Sequence, residues 1–180
     1  GGCDTVSMAQ EFGTPLYVYD ESTIRSMAKT YLHEFSSRYP DTTVAYASKA
    51  FLNKEMSRIA NEESLSLDVV SGGEIAVAVS TGFPAERMYF HGNNKTLQEL
   101  SEAINVGIGT IVVDGFQELD LLNEIAKGKG MVQGIMLRPS PSVDAHTHGH
   151  TTTGILDVKF GFSIESGEST VAIRQALDSS

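Results

Sequence analysis

The chain has 180 residues, 41% of them hydrophobic, enough for a single globular core. Its 23 acidic residues outnumber 13 basic ones, giving a net charge of −10; with no basic run, nucleic acid and anionic membrane are poor partners. The one cysteine, Cys3, allows no disulfide within the chain and fits a reducing cytosol; no apolar run approaches the ~18–20 residues of a membrane helix, and no charged-then-apolar leader is seen.

Gly1-Gly2 reads as a tag remnant or frayed end, and residues 1–11 as an N-terminal extension. Phe12 to Asp20 alternates around Pro15, Leu16 and Val18 against Tyr17 and Tyr19, so a strand leading into the domain is expected there. Asp20-Glu21-Ser22 offers cap chemistry for a helix carrying Ile24, Met27, Ala28, Tyr31, Leu32 and Phe35, which Pro40-Asp41 ends.

Val44 to Lys49 then reads as a short buried strand with a lysine at its exit. Strand alternation puts Val44, Tyr46 and Ser48 on one face and Ala45, Ala47 and Lys49 on the other. Two alanines beside Lys49 leave a narrow channel for its side chain. A desolvated lysine loses its proton more readily, and a neutral amine is the nucleophile that condenses with an aldehyde. The alternative is a lysine that caps a strand end at the surface.

From there strands and helices alternate. Leu52, Met56, Ile59 and Ala60 mark a helix, Ser66 to Val70 a strand, and Gly72-Gly73 opens a helix through Val79. Met88 to Phe90 is a strand, Thr96 caps a helix carrying Leu97, Leu100, Ala103 and Ile104, and Thr110 to Val113 is the next strand. Phe116 to Ala126 is helical, Val132 to Leu137 a fifth strand, and a last helix after Gly167 carries Val171, Ile173 and Leu177. This even βαβα rhythm predicts parallel strands with crossover helices over residues 12–180. Either an open doubly wound sheet or a partial barrel satisfies it. A full (β/α)8 barrel takes ~250 residues, so a barrel here would comprise about its first five strand–helix units.

Ligands of parallel α/β folds sit at the carboxyl ends of strands. That rule gathers Lys49, Asp68, His91, Asp114 and Arg138, each at the exit of a different strand. Asp68 precedes two apolar residues inside its strand, so a cationic partner is expected, from Arg138 or Lys49. Ser71 and Glu74 read as cap and first-turn charge of the helix that follows. His91 opens His-Gly-Asn-Asn-Lys, where Gly92 allows a sharp turn; the imidazole either stacks on a flat ring or belongs to an ordinary turn. His146-Thr-His148-Gly-His150 suits a metal or a loop that orders over a ligand; the histidines and carboxylates a metallohydrolase also needs are short, so the ligand loop is preferred. No phosphate-binding glycine signature and no Gly-x-Ser-x-Gly elbow occurs, and Cys3 lies too near a loose terminus to serve as a nucleophile.

Taken together, Tyr46-Ala-Ser-Lys-Ala-Phe51, Asp68-Val-Val-Ser-Gly-Gly-Glu74, Tyr89-Phe-His-Gly-Asn-Asn-Lys95 and His146-Thr-His148 with Thr153-Gly154 and Lys159-Phe-Gly161 strongly resemble the diaminopimelate decarboxylases. The likeness runs from about Phe12 to Gly167, and Phe12 to Asp20 resembles the strand that leads into that family's barrel. It implies a (β/α)8 TIM barrel of the alanine-racemase type that binds pyridoxal 5′-phosphate. Lys49 would hold the cofactor covalently, with Ala47 under it, Asp68 and Arg138 lining its ring and His91 beside them. His146 and His148 would lie on a substrate loop, with no metal. The reaction implied is decarboxylation of meso-2,6-diaminopimelate to L-lysine and carbon dioxide, by a cytoplasmic enzyme that is a homodimer at full length. The family's phosphate loop, ring-nitrogen partner, stacking histidine and C-terminal β domain would lie beyond Ser180. The 180-residue chain is therefore expected to be an N-terminal portion and inactive alone. The alternatives are a decarboxylase of ornithine or arginine, a non-catalytic pyridoxal-phosphate-binding barrel, and a metal-dependent hydrolase built on His146 and His148.

Overall fold

The computed structural model describes residues 1–141 and 160–179. Two helices come first, α1 (Thr5–Phe12) and α2 (Glu21–Ser36). The repeating units are β1 (Ala45–Ala47), α3 (Lys54–Glu62), β2 (Ser66–Val69), α4 (Gly72–Ser80), β3 (Met88–Phe90), α5 (Leu97–Val106), β4 (Thr110–Val113), α6 (Phe116–Lys129) and β5 (Ile135–Leu137). Two short strands, β6 (Pro139–Ser140) and β7 (Phe162–Ser163), and a helix, α7 (Glu168–Asp178), complete the described residues.

The sheet decides between the two architectures left open. Its order is β1-β2-β3-β4-β5, every pair parallel. A doubly wound sheet reverses its strand order at a switch point, whereas a barrel wall runs on in sequence. β6 and β7, just after β5 in the chain, form a separate two-stranded parallel pair.

Register explains the core. Leu67 lies opposite Met88, Val69 opposite Phe90, and Phe90 opposite Ile111; all five are buried and pack with Ala60, Ala78, Leu100 and Ile104 of the helices. On the other face, Ala47, Asp68, Tyr89 and Thr110 follow one another strand by strand. Period-2 alternation makes this the inner face of the wall, and it carries the polar side chains. At the amino end the turns leading into β3 and β4 come close: a Cβ on Gly109 would stand 2.0 Å from the Glu86 carbonyl oxygen.

Several expectations are corrected. No strand forms over Phe12–Asp20: α1 ends at Phe12 and the segment beyond is irregular, with Tyr17 and Tyr19 exposed. A strand needs a neighbour to take its N–H and C=O groups, and no described strand pairs with this segment. The Val44–Lys49 strand stops at Ala47, because Ser48–Ala50 winds into a 3-10 turn that redirects the chain toward α3. β5 begins at Ile135, and Val132 is fully exposed. In α7 the buried side is Ala172 and Ala176, four residues apart, while Val171, Ile173 and Leu177 face out.

First-turn glutamates fold back onto the loops that precede their helices. Glu74 accepts the Val70 N–H at 2.7 Å, Glu118 the Asp114 N–H at 3.1 Å, and Glu168 the Ser163 N–H at 3.1 Å. Glu99 goes furthest: it closes a capping box with Thr96 and takes the Gly72 N–H at 2.9 Å, tying α5 to the start of α4. These N–H groups, Gly72's first and then Thr96's, hold the Glu99 carboxyl below its ordinary value of 4.5. A depressed carboxylate stabilises the fold fully above its unfolded value and loses that contribution as pH falls through the folded one. Glu99→Gln should therefore cost about 1–2 kcal/mol at neutral pH. The gap between variant and parent should close as pH falls below 4.5. Denaturant melts along a pH series check both parts.

Candidate active site

The carboxyl ends of β1 to β5 form a rim, and four of the five rim residues fall into two pairs. His91 follows β3 directly, its N–H donating to the Val69 carbonyl at 2.8 Å. Its Nδ1 lies 3.1 Å from Asp68 Oδ1. A carboxylate oxygen accepts, so Nδ1 carries the hydrogen of this bond. Arg138 follows β5, and its guanidinium donates to Asp114 Oδ1 at 2.8 Å and lies over the Phe160 ring, 4.4 Å from its centroid. Asp114 is buried and Arg138 is half-buried.

These pairs replace the partnership expected for Asp68. Neither Arg138 nor Lys49 holds it; His91 does, because the register of β2 and β3 puts Tyr89 opposite Asp68 and His91, two residues on, on the same face within reach. Asp68 also acts on Glu74: burial pushes that carboxyl above the usual range, the Val70 N–H draws it back, and the Asp68 charge adds to the rise.

Lys49 stands at the exit of β1 in the 3-10 turn, where its side chain is exposed. An exposed Lys49 does not sit in the narrow, desolvating channel between alanines expected for it. Ala47, one strand over from Asp68, offers only a methyl group on the inner face beside it. His146 and His148 lie outside the described residues.

Two buried side-chain atoms among the described residues have no partner within the chain, Ser48 Oγ and His91 Nε2. Buried polar atoms are almost always satisfied. Both orphans belong to strand exits on the rim, one in the residue next to Lys49 and the other on the Asp68-held imidazole. An accessible amine, an oriented imidazole, an anchored guanidinium and two unspent polar atoms fit a flat, polar, aldehyde-bearing cofactor. An apolar cavity of ≈ 500 Å³ runs between α2 and β1, lined by Met27, Tyr31, Val44, Ala45, Ala47 and Phe51 among others. Lys49, Asp68, His91 and Arg138 take no part in it.

Sequence reasoning passed over Ser48, Tyr89 and two residues beneath the rim, Lys95 and Glu118. Tyr89 was within reach of register-based reading; nothing in the sequence marks Ser48. For the buried pair the available signal was the lysine that closes His91-Gly-Asn-Asn-Lys95 and a glutamate four residues after Asp114.

A sequential parallel wall with its polar groups at the carboxyl ends of the strands defines a portion of a TIM barrel, a fold whose active sites are built at that end. The chain belongs to the pyridoxal-dependent decarboxylases: residues 22–179 match the family described as pyridoxal-dependent decarboxylase, pyridoxal binding domain. It is 51% identical over 179 residues to a diaminopimelate decarboxylase of Bacillus subtilis, and 48% identical over the same length to that of Bacillus methanolicus. Each comparison covers 99% of this chain and 41% of the relative, so the chain spans about two fifths of the length of the curated relatives it matches. Among solved structures, diaminopimelate decarboxylase of M. jannaschii in complex with L-lysine matches with a TM-score of 0.89 and 37% identity, over 99% of this chain and 42% of that one. The Helicobacter pylori enzyme, also complexed with L-lysine, matches at 0.86 and 28% identity, over 98% and 44%. No helix among the described residues is long and apolar enough to cross a membrane.

Proposed function

We propose that residues 12–180 are the cofactor-holding portion of a pyridoxal-phosphate-dependent decarboxylase that converts meso-2,6-diaminopimelate to L-lysine and carbon dioxide. The observation that carries this reading is the rim: an accessible Lys49 amine next to the orphaned Ser48 Oγ, with an orphaned His91 Nε2 two strands away. The names of the relatives supply the substrate, and the L-lysine held by two of the solved relatives supports the product.

Pyridoxal phosphate, when bound, supplies the electron sink that lets an α-amino acid lose carbon dioxide. This chain's own residues do the rest. Lys49 would hold the cofactor through its amine. Ala47 leaves room for a flat ring. Asp68 holds the plane of His91, so that its Nε2 faces one place on the rim. Asp114 and Phe160 spend one face and one edge of the Arg138 guanidinium on the chain and leave its other N–H groups for an anionic oxygen. His146 and His148 are assigned to the substrate side on the family resemblance. Residues 1–11 are assigned to an extension outside the barrel, and the full-length protein to a cytoplasmic homodimer.

The test is product analysis. The intact protein, loaded with pyridoxal phosphate, is given meso-diaminopimelate, ornithine or arginine in separate reactions. L-Lysine and carbon dioxide from the first substrate alone is the expected result. Turnover of ornithine or arginine in preference to it, or cofactor binding with no turnover of any of the three, contradicts the assignment. Sedimentation of the same preparation tests the dimer.

A further inference from the structure

Beneath the rim lies an ion pair that none of the steps above uses. The Lys95 side chain is 1% exposed, and its ammonium spends all three hydrogens at 2.7 Å, on the Gly92 carbonyl, the Val112 carbonyl and Glu118 Oε1. It also lies 5.5 Å from the centroid of the Phe90 ring. The other oxygen of Glu118 accepts the N–H of Asp114 at 3.1 Å. Each end of the pair therefore touches one of the rim pairs. Gly92 is the residue after His91, which Asp68 holds; Asp114 is the residue that holds Arg138. The path Asp68–His91–Gly92–Lys95–Glu118–Asp114–Arg138 joins the exits of β2, β3, β4 and β5 through hydrogen bonds and a single covalent step of the backbone.

Stability alone is a weak reason for such a pair. Taking two charges out of water is expensive, and buried ion pairs are often replaceable by apolar residues of similar size without loss. What apolar residues cannot do is hold two loops by their backbone groups. Gly92 has a φ of +124°, a conformation open to glycine and rarely to other residues.

We propose that Lys95 and Glu118 are positioning residues, a buried pair that fixes the distance between the Asp68–His91 half and the Asp114–Arg138 half of the rim so that one cofactor meets both. The proposal rests on the reading of the rim as the pyridoxal-phosphate site. Lys95 and Glu118 themselves touch neither cofactor nor substrate. Their removal loosens the site without emptying it of any contacting side chain.

The test compares Lys95→Met, Glu118→Gln and the neutral double variant Lys95→Met/Glu118→Gln with the parent in the intact protein. Each is titrated with pyridoxal phosphate, and the visible circular dichroism of the bound cofactor is recorded, a signal that reports how rigidly the ring is held. The expected result is an affinity lowered about tenfold or more in each variant, as for other groups that orient a binding site from behind. The visible dichroism should be weakened, and the double variant should be no worse than the worse single, since one pair is lost in all three. If a single variant strands a charge and unfolds, the double variant, which strands none, carries the comparison. Folded variants with parental affinity and parental dichroism overturn the proposal. A parent protein that takes up no pyridoxal phosphate at Lys49 overturns instead the reading of the rim, a result of a different kind.

Discussion

Lys49→Ala is expected to abolish covalent retention of pyridoxal phosphate and to lower decarboxylation on the order of 10³-fold or more, as loss of a covalent-catalysis group does. The loss should leave the fold alone. Lys49 is exposed in a 3-10 turn, and among the described residues no hydrogen bond or ion pair of its side chain holds another element. A surface change of that kind moves stability by about 0.5 kcal/mol or less. The variant therefore separates chemistry from folding: an unchanged melting curve with no borohydride-trappable cofactor is the expected pattern. A variant that still traps the cofactor at full stoichiometry would show that another amine is the anchor.

Gly161→Ala is the second large effect, and it acts through the backbone. Gly161 has a φ of +74°, and a Cβ there would stand 2.4 Å from the Arg138 carbonyl oxygen. The left-handed conformation alone costs a non-glycine residue about 1 kcal/mol, and the contact is too close for either chain to keep its place. That same carbonyl accepts the Phe162 N–H at 2.8 Å, the bond that seats β7 against the wall. The expected loss is about 2–4 kcal/mol of stability, together with a shift of Arg138 away from Asp114. Gly109→Ala is the matched comparison. Its Cβ would meet the Glu86 carbonyl oxygen at 2.0 Å, so it should destabilise at least as much, but at the amino end of the sheet, away from the rim. Among folded molecules, Gly161→Ala should weaken pyridoxal phosphate binding about tenfold, while Gly109→Ala leaves it unchanged. Denaturant melts and cofactor titrations on the two variants check this contrast. Equal effects on affinity would detach Arg138 from the site.

Most of the barrel wall was legible in the sequence because its strands are short apolar runs between strong caps. Met88–Phe90 and Thr110–Val113 were bounded correctly, and the Ser71 and Thr96 caps close as their spacing indicates. The misreadings share a cause: alternation says which residues can form a strand and not whether a neighbour exists or where the strand stops. Phe12–Asp20 has the pattern and, among the described residues, no paired strand; Val44–Lys49 has the pattern, but its last two residues turn. The rim was legible as a set, since one polar residue per strand exit is visible without coordinates. Its pairings were not. They depend on register, which put His91 rather than Arg138 beside Asp68. The spacing of α7 misled for another reason: Val171 and Ile173 lie two apart, on different sides of a helix, while the pair that packs is the less hydrophobic Ala172 and Ala176.

On the function proposed above, the amine at the exit of β1 anchors the cofactor. The most direct measurement is borohydride reduction of the intact protein with pyridoxal phosphate, followed by proteolysis and mass analysis of every lysine-containing peptide. A reduced phosphopyridoxyl group confined to Lys49 is the predicted result. Label at Lys54 or another exposed lysine in equal measure, or no label on Lys49 at cofactor saturation, would contradict it.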